Sequence, residues 1–213
     1  DTNTVIGTED TSAPYSVVWN STTIADGLHT IIAIARDAAG NRATSTAISV
    51  TIDNTTPLRS AGAPTGVLPV GTTGTTLSLS TNEGAVCRYS TVAASSYAMM
   101  TAFSTTGATA HGAALTGLSN GTTRTYYVKC RDTAGNIHTD DYVISFSVAS
   151  PAPDTTAPVV SITSPVTGSI ATGSAISLIA SASDAVGVIG VQFKLDTNTV
   201  IGTEDTSAPY SVV

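Results

Sequence analysis

Lysine is nearly missing from this chain: Lys129 and Lys194 stand beside six arginines, against fifteen aspartates and glutamates. A net charge of −7 built that way offers no basic footprint, which excludes nucleic acid and anionic membrane surfaces as partners. Charged residues of either sign make up only 11% of 213 residues, less than half the ordinary share. Aromatic residues are scarce as well, at 5%, with Trp19 the one tryptophan. No apolar run approaches 18 residues, so no membrane-inserting helix is expected in this segment. No stretch of useful length carries a 3.6-residue apolar period, so helices are not expected either. There are two cysteines, Cys87 and Cys130, and no C-x-x-C, which argues against structural zinc and dithiol redox chemistry. No leader-like segment opens the chain, but it starts inside a repeat, and this says nothing about export.

What is present is Thr, Ser, Ala, Gly and Val, with hydrophobic residues at 41%, enough for packed cores. Short β-branched runs broken by Gly, Asn, Asp and Pro predict an all-β fold. One repeat dominates. Residues 1–18, DTNTVIGTEDTSAPYSVV, recur unchanged as residues 196–213, so Asp1 and Asp196 mark a register of 195 residues. Self-similarity at a fixed period is read as a window on a tandem array, one period plus an overlap.

Each period divides again. DAAGN (37–41) returns as DTAGN (132–136), each between two strand-like runs, the pattern of a hairpin with a glycine turn. DNTTPL (53–58) and DTTAPV (154–159) match as short, stiff linkers ending at proline. Two modules of β-sandwich size follow. One is whole, residues 53–153. The other is cut: residues 154–213 are its first half and residues 1–52 its second, sharing the eighteen-residue overlap. Strands are expected near VVSITSP, AISLIASAS, GVIGVQFKL and NTVIG in the first half. In the second they are expected near NTVIG, YSVVWN, HTIIAIAR and TSTAISVTI. Val191, Phe193 and Leu195 alternate with polar neighbours, as do Tyr15, Val17 and Trp19, so one face of each run is expected in a core.

The joined halves, through ASDAVGVIGVQFKLD, EDTSAPYSVVWN and ARDAAGN, resemble the bacterial Ig-like domains strung along secreted and surface proteins. The whole module, through GAALTGLSNGTTRTYYVKCRDTAGN, resembles the last third of a fibronectin type III domain. Arg124 falls where that family usually has its corner tyrosine, a departure from the pattern. The resemblances imply tandem Ig-like and fibronectin type III-like antiparallel β-sandwiches. A sandwich is on the order of 30 Å long, and six-residue linkers do not fold back over that distance. The two half-modules are therefore expected to be completed head to tail by adjoining copies, through one longer chain or through exchange between chains.

The type III resemblance implies that Cys87 and Cys130 lie on neighbouring strands of one sheet, side by side. A disulfide is then expected, worth roughly 3–4 kcal/mol, with two buried free thiols as the alternative. In such folds the entering linker and two loops meet at one pole. For the whole module these carry Asp53, Asn82, Glu83, Asp132 and Asn136. For the cut module they carry Asp154, Asp184, Asp37 and Asn41. Converging oxygens suit Ca²⁺, and calcium is the one cofactor weighed; the plainer reading is that these residues shape the turns.

No catalytic constellation emerges, and the chain is not expected to be an enzyme. His29, His111 and His138 read as surface or loop residues. Asp140 and Asp141 adjoin and face opposite ways. Both lysines read as outward-facing, against an isopeptide cross-link. The expected role is structural: an extracellular or cell-surface filament or stalk whose partner is the next copy of itself. The alternatives are a carbohydrate-binding or adhesin module, with scattered Tyr97, Tyr127 and Tyr142 to offer a glycan, or accessory domains of a secreted enzyme.

Overall fold

The computed structural model describes residues 4–173, 175–196 and 198–213. It is all-β, in two compact units, Asp1–Pro151 and Ala152–Val213. Tyr97–Met99 forms a single 3-10 turn. Among the described residues no helix is long and apolar enough to cross a membrane.

The first unit begins with a long hairpin interrupted midway. Strands β1 (Gly27–Ile31) and β4 (Ile48–Ile52) pair at its base, and β2 (Ile34–Arg36) and β3 (Arg42–Thr44) pair next to the DAAGN turn. It carries apolar side chains that it does not cover. Leu28, Ile32, Ile34 and Ile48 are exposed, and Ile52 is buried. The strands expected near NTVIG and YSVVWN are absent: residues 4–18 form no strand, and Trp19 is only half-buried. Tyr15 and Val17 are exposed. A strand needs a neighbour for its N–H and C=O groups; the second copy of this run, in residues 199–212, has such neighbours in β14 and β15.

The rest of the first unit is a complete β-sandwich. One sheet has the order β10 (Ala110–Thr116), β7 (Gly74–Thr81), β5 (Arg59–Ala63). The other has the order β6 (Gly66–Leu68), β12 (Tyr142–Val148), β11 (Thr123–Asp132), β8 (Ala85–Ser90), β9 (Thr101–Ala102). All pairings are antiparallel except β6 with β12. The side-chain period of two sends Leu77 and Leu79, Tyr126, Val128 and Cys130, and Ile144, Phe146 and Val148 into one core. Tyr89 sets its ring edge-on to Phe103 and to Tyr126, while Tyr126 stacks on Phe146.

The second unit holds one three-stranded sheet, β13 (Val159–Ser164), β14 (Leu178–Ser183), β17 (Tyr210–Val212), and one pair, β15 (Val191–Leu195) with β16 (Thr199–Asp205). Its core is small: Ala180, Phe193 and Tyr210, lined by Leu178, Val188, Val191, Ile201 and Val212. Val159, Ile162, Ile170, Val186 and Ile189 stay exposed.

The duplicated segment therefore occurs in two settings. Tyr210 is 6% exposed where β14 stands beside it, and Tyr15, the same residue of the same sequence, is 73% exposed. The local turn is identical in both. Asp10 accepts the Ser12 and Ser16 N–H groups at 3.0 and 2.8 Å; Asp205 accepts those of Ser207 and Ser211 at 3.0 and 2.7 Å. Gly7 and Gly202 share a positive φ, and a Cβ on either would run into the facing valine, Val17 or Val212.

Candidate joint and cation site

The DTAGN turn closes β11 onto the chain that leads to β12. Gly135 takes φ +104°, where a side chain would be strained. Asp132 ties the turn together: its Oδ1 accepts the N–H groups of Gly135 (2.7 Å) and Asn136 (2.9 Å), and its Oδ2 accepts the Asn136 side-chain amide at 2.8 Å. That amide, Nδ2, also lies 3.1 Å from the Asp53 carbonyl, 3.3 Å from Asp53 Oδ1 and 3.2 Å from the Thr55 carbonyl. The hairpin tip thus fastens the linker that precedes its own module.

The other face of the linker is held by the preceding segment. Asp26, just ahead of β1, accepts the Asn54 N–H at 2.6 Å and a short hydrogen bond from the Thr55 hydroxyl. Asn54 Nδ2 donates to the carbonyls of Ser21 (3.0 Å) and Ile24 (3.1 Å). Pro57 is fully buried, and Leu58 exchanges main-chain and side-chain hydrogen bonds with Asn82. This fastening explains why residues 1–52 and the whole module form one compact unit.

Three carboxylates converge on the joint. Asp53, Glu83 and Asp132 each bring one oxygen within 4.8 Å of the others, with Asp132 buried and the other two half-buried. Burial, and after it the charges of Asp53, Asp132 and Asp26, hold the Glu83 carboxyl above its ordinary range. The arrangement suits a hard, oxygen-seeking cation, which would relieve that repulsion. Asn136 brings its amide to the same joint. Asn82 turns its side-chain oxygen to the Leu58 N–H at the far end of the same linker.

The second set of candidates is divided between the units. Asp37 and Asn41 lie in the first, where Asp37 repeats the Asp132 pattern: Oδ1 accepts the Ala39 and Asn41 N–H groups at 3.0 and 2.8 Å, and Oδ2 accepts Asn41 Nδ2 at 2.7 Å. These bonds, the Asn41 side chain first, hold the Asp37 carboxyl below its ordinary value. Asp154 and Asp184 lie in the second unit. Asp154 accepts the Thr156 N–H at 2.9 Å, and Asp184 those of Val186 and Gly187 at 2.8 and 3.3 Å. Asp26 was not singled out by sequence. It reads as the first residue of an Asp-Gly turn, and nothing in the spacing ties it to Thr55.

Cys87 and Cys130 face each other across β8 and β11, fully buried, and are joined by a disulfide. Arg124 donates from Nη2 to the Gly117 carbonyl at 3.3 Å. Two expectations are corrected. Lys129 lies on the outer face of its sheet as expected but is buried there, with Nζ 3.0 Å from the Ser95 carbonyl and 3.5 Å from Asp141 Oδ1. His111 and His138 are also buried. The three tyrosines offered to a glycan are half-buried. Tyr97 lies under Arg88 and Arg131 and donates to the Val86 carbonyl, and Tyr142 accepts the Gly62 N–H beneath Arg59.

Residues 158–213 match the family model of the bacterial Ig domain, and residues 1–54 match that of a bacterial Ig-like domain. The chain thus carries tandem bacterial Ig-like domain segments, and the repeated eighteen residues fall inside both matches. Such domains are typically found on surface or extracellular proteins and are generally non-catalytic modules. No curated protein matches the chain.

Proposed function

We propose that this chain is one period of an extracellular filament or stalk, in which each cut Ig-like module is begun by residues 154–213 of one copy and finished by residues 19–52 of the next. The observation that carries this reading is the repeated segment in its two settings. In residues 199–213 it pairs with β14 and β15 and buries Tyr210. In residues 4–18 it engages the other half, where Glu9 grips Arg36 of β2 with two bonds of 2.7 and 3.0 Å. The one sequence therefore carries contacts to both halves of a module.

The whole module supplies the template for the missing contact. There β11 lies between β12 and β8. In the first hairpin, among the described residues, β1 and β2 pair on one side only, with β4 and β3. The open side is the place for β15 of the preceding copy. Ile31 and Ile48, which pair across the hairpin on one half, and Val160 and Ile162, which share the face of Ala180 and Ala182 on the other, would bury each other across the completed sandwich, each worth about 1.5–3 kcal/mol when fully covered. We take the whole module as fibronectin type III-like, with Arg124 bonding back to Gly117 in place of a corner tyrosine. We further assign Ca²⁺ to the Asp53–Glu83–Asp132 joint, as a stiffener of a spacer.

Electron microscopy of concentrated protein tests the filament. Fibres with an axial repeat of two sandwiches support it, and discrete closed particles count against it. Melting in calcium and in chelator tests the ion, and identical curves would remove calcium from the account. The glycan-binding alternative calls for an isolated whole module that binds on a glycan array, which the engaged Tyr97 and Tyr142 argue against.

A further inference from the structure

The two linkers of the chain are folded alike. Asp53 Oδ1 accepts the Thr55 N–H at 3.2 Å, and Asp154 Oδ1 accepts the Thr156 N–H at 2.9 Å. The two hairpin tips are also alike. Asp132 Oδ2 holds Asn136 Nδ2 at 2.8 Å, and Asp37 Oδ2 holds Asn41 Nδ2 at 2.7 Å, so each amide is oriented before it meets anything else. One tip, Asn136, is docked on its linker through the carbonyls of Asp53 and Thr55. Asn41 is the tip of the hairpin that, in the reading above, completes the module entered through linker 154–156.

Resting on that head-to-tail reading, we propose that Asn41 of the following copy clamps the linker 154–156, its Nδ2 donating to the main-chain carbonyls of Asp154 and Thr156. Copies would then be joined by the same device that fastens residues 53–55 within a copy. The partner is a second copy of this chain because the acceptors needed are those of one particular turn, Asp-x-Thr before a proline. The chain presents that turn twice and the matching tip twice. The clamp uses a neutral donor and mainly main-chain acceptors, with one carboxylate oxygen at 3.3 Å in the template, so it depends on salt less than an ion-pair latch does. It also fixes the hairpin at its turn end, which sets the register of the open edge of β2 before the longer strand pairing forms.

Sedimentation equilibrium of the 213-residue chain over a range of concentrations is the test. Reversible association is expected, with Asn41→Ala weakening it by about five- to tenfold, the loss of one or two hydrogen bonds. Asn120→Ala, an asparagine outside both joints, should leave it unchanged. Association that ignores Asn41→Ala overturns the clamp and leaves head-to-tail completion standing; absence of association overturns both. A cysteine pair guards against a misfolded turn. Asn41→Cys with Thr156→Cys should give a ladder of covalent multimers on mild oxidation, and Asn41→Cys with the exposed Ile170→Cys should not. Monomers alone, or equal ladders from both pairs, contradict the clamp.

Discussion

His111 stands on β10 with both ring nitrogens engaged inside the sandwich. Nε2 lies 3.0 Å from the Thr81 hydroxyl, which itself donates to the Glu83 carbonyl at 2.6 Å; Nδ1 lies 2.9 Å from the Thr106 hydroxyl. With the Thr81 proton directed to Glu83, the neutral ring that fits carries its proton on Nε2 and accepts at Nδ1 from Thr106, whose hydroxyl lies closer to Nδ1 (2.9 Å) than to the Ala85 carbonyl (3.3 Å). Burial holds the His111 pKa below its ordinary value, and burial does the same first for His138. The folded state then binds these protons less readily than the unfolded chain. Stability is fully present above the ordinary histidine value of about 6.5 and is lost as pH falls through it toward the lowered folded values. The prediction is a melting temperature that declines as pH falls below about 6.5, with a shallower decline in His111→Leu. That variant should also lose about 1–3 kcal/mol at neutral pH, since it removes two hydrogen bonds, although Thr81 keeps the Glu83 carbonyl and Thr106 the Cys87 N–H. His111 was expected at the surface, although its alternation with Ala113 and Leu115 on one face of β10 carried the signal of its burial. Lys129 was not legible in that way. Alternation correctly sets it opposite Cys130, but the chain around Ser95 and Asp141 covers that outer face. A covering loop leaves no periodic trace.

At the scale of elements, the repeated segment is its own control. Tyr210→Ala should cost the second unit about 3–5 kcal/mol, as truncation of a buried aromatic does. Tyr15→Ala should change stability by no more than about 0.5 kcal/mol in the same chain. Paired denaturation curves check this, and equal losses would mean that the two settings do not differ. The disulfide is the second element-scale case. It joins strands whose cysteines are 43 residues apart in sequence, and replacing both by Ala should destabilise the whole module by about 4 kcal/mol. The cysteine pairing, 43 residues apart, was reached only through the type III resemblance. The hairpins and linkers could be read because each depends on residues close in sequence or on a two-residue period. The missing strands of residues 4–18 could not. Their turn is local and forms twice, whereas their pairing depends on edges that only the other half-module supplies.

For the whole molecule, a low charge, two short linkers and an eighteen-residue segment repeated without change are the features on which the proposed spacer rests. The acidic joint fits that role as a fastening, made by Asn136 and Asp26 from opposite sides of one linker. In the proposed head-to-tail reading, the apolar side chains left exposed on residues 27–52 and 154–213 mark the surfaces that the adjoining copy covers. Calorimetry on this chain, beside the same chain lengthened by one further period of 195 residues, tests that claim most directly. The account predicts that the longer chain gains a new cooperative transition, the first complete Ig-like module, in addition to a second copy of the disulfide-linked one. Transitions that merely double in size, with none added, would contradict it.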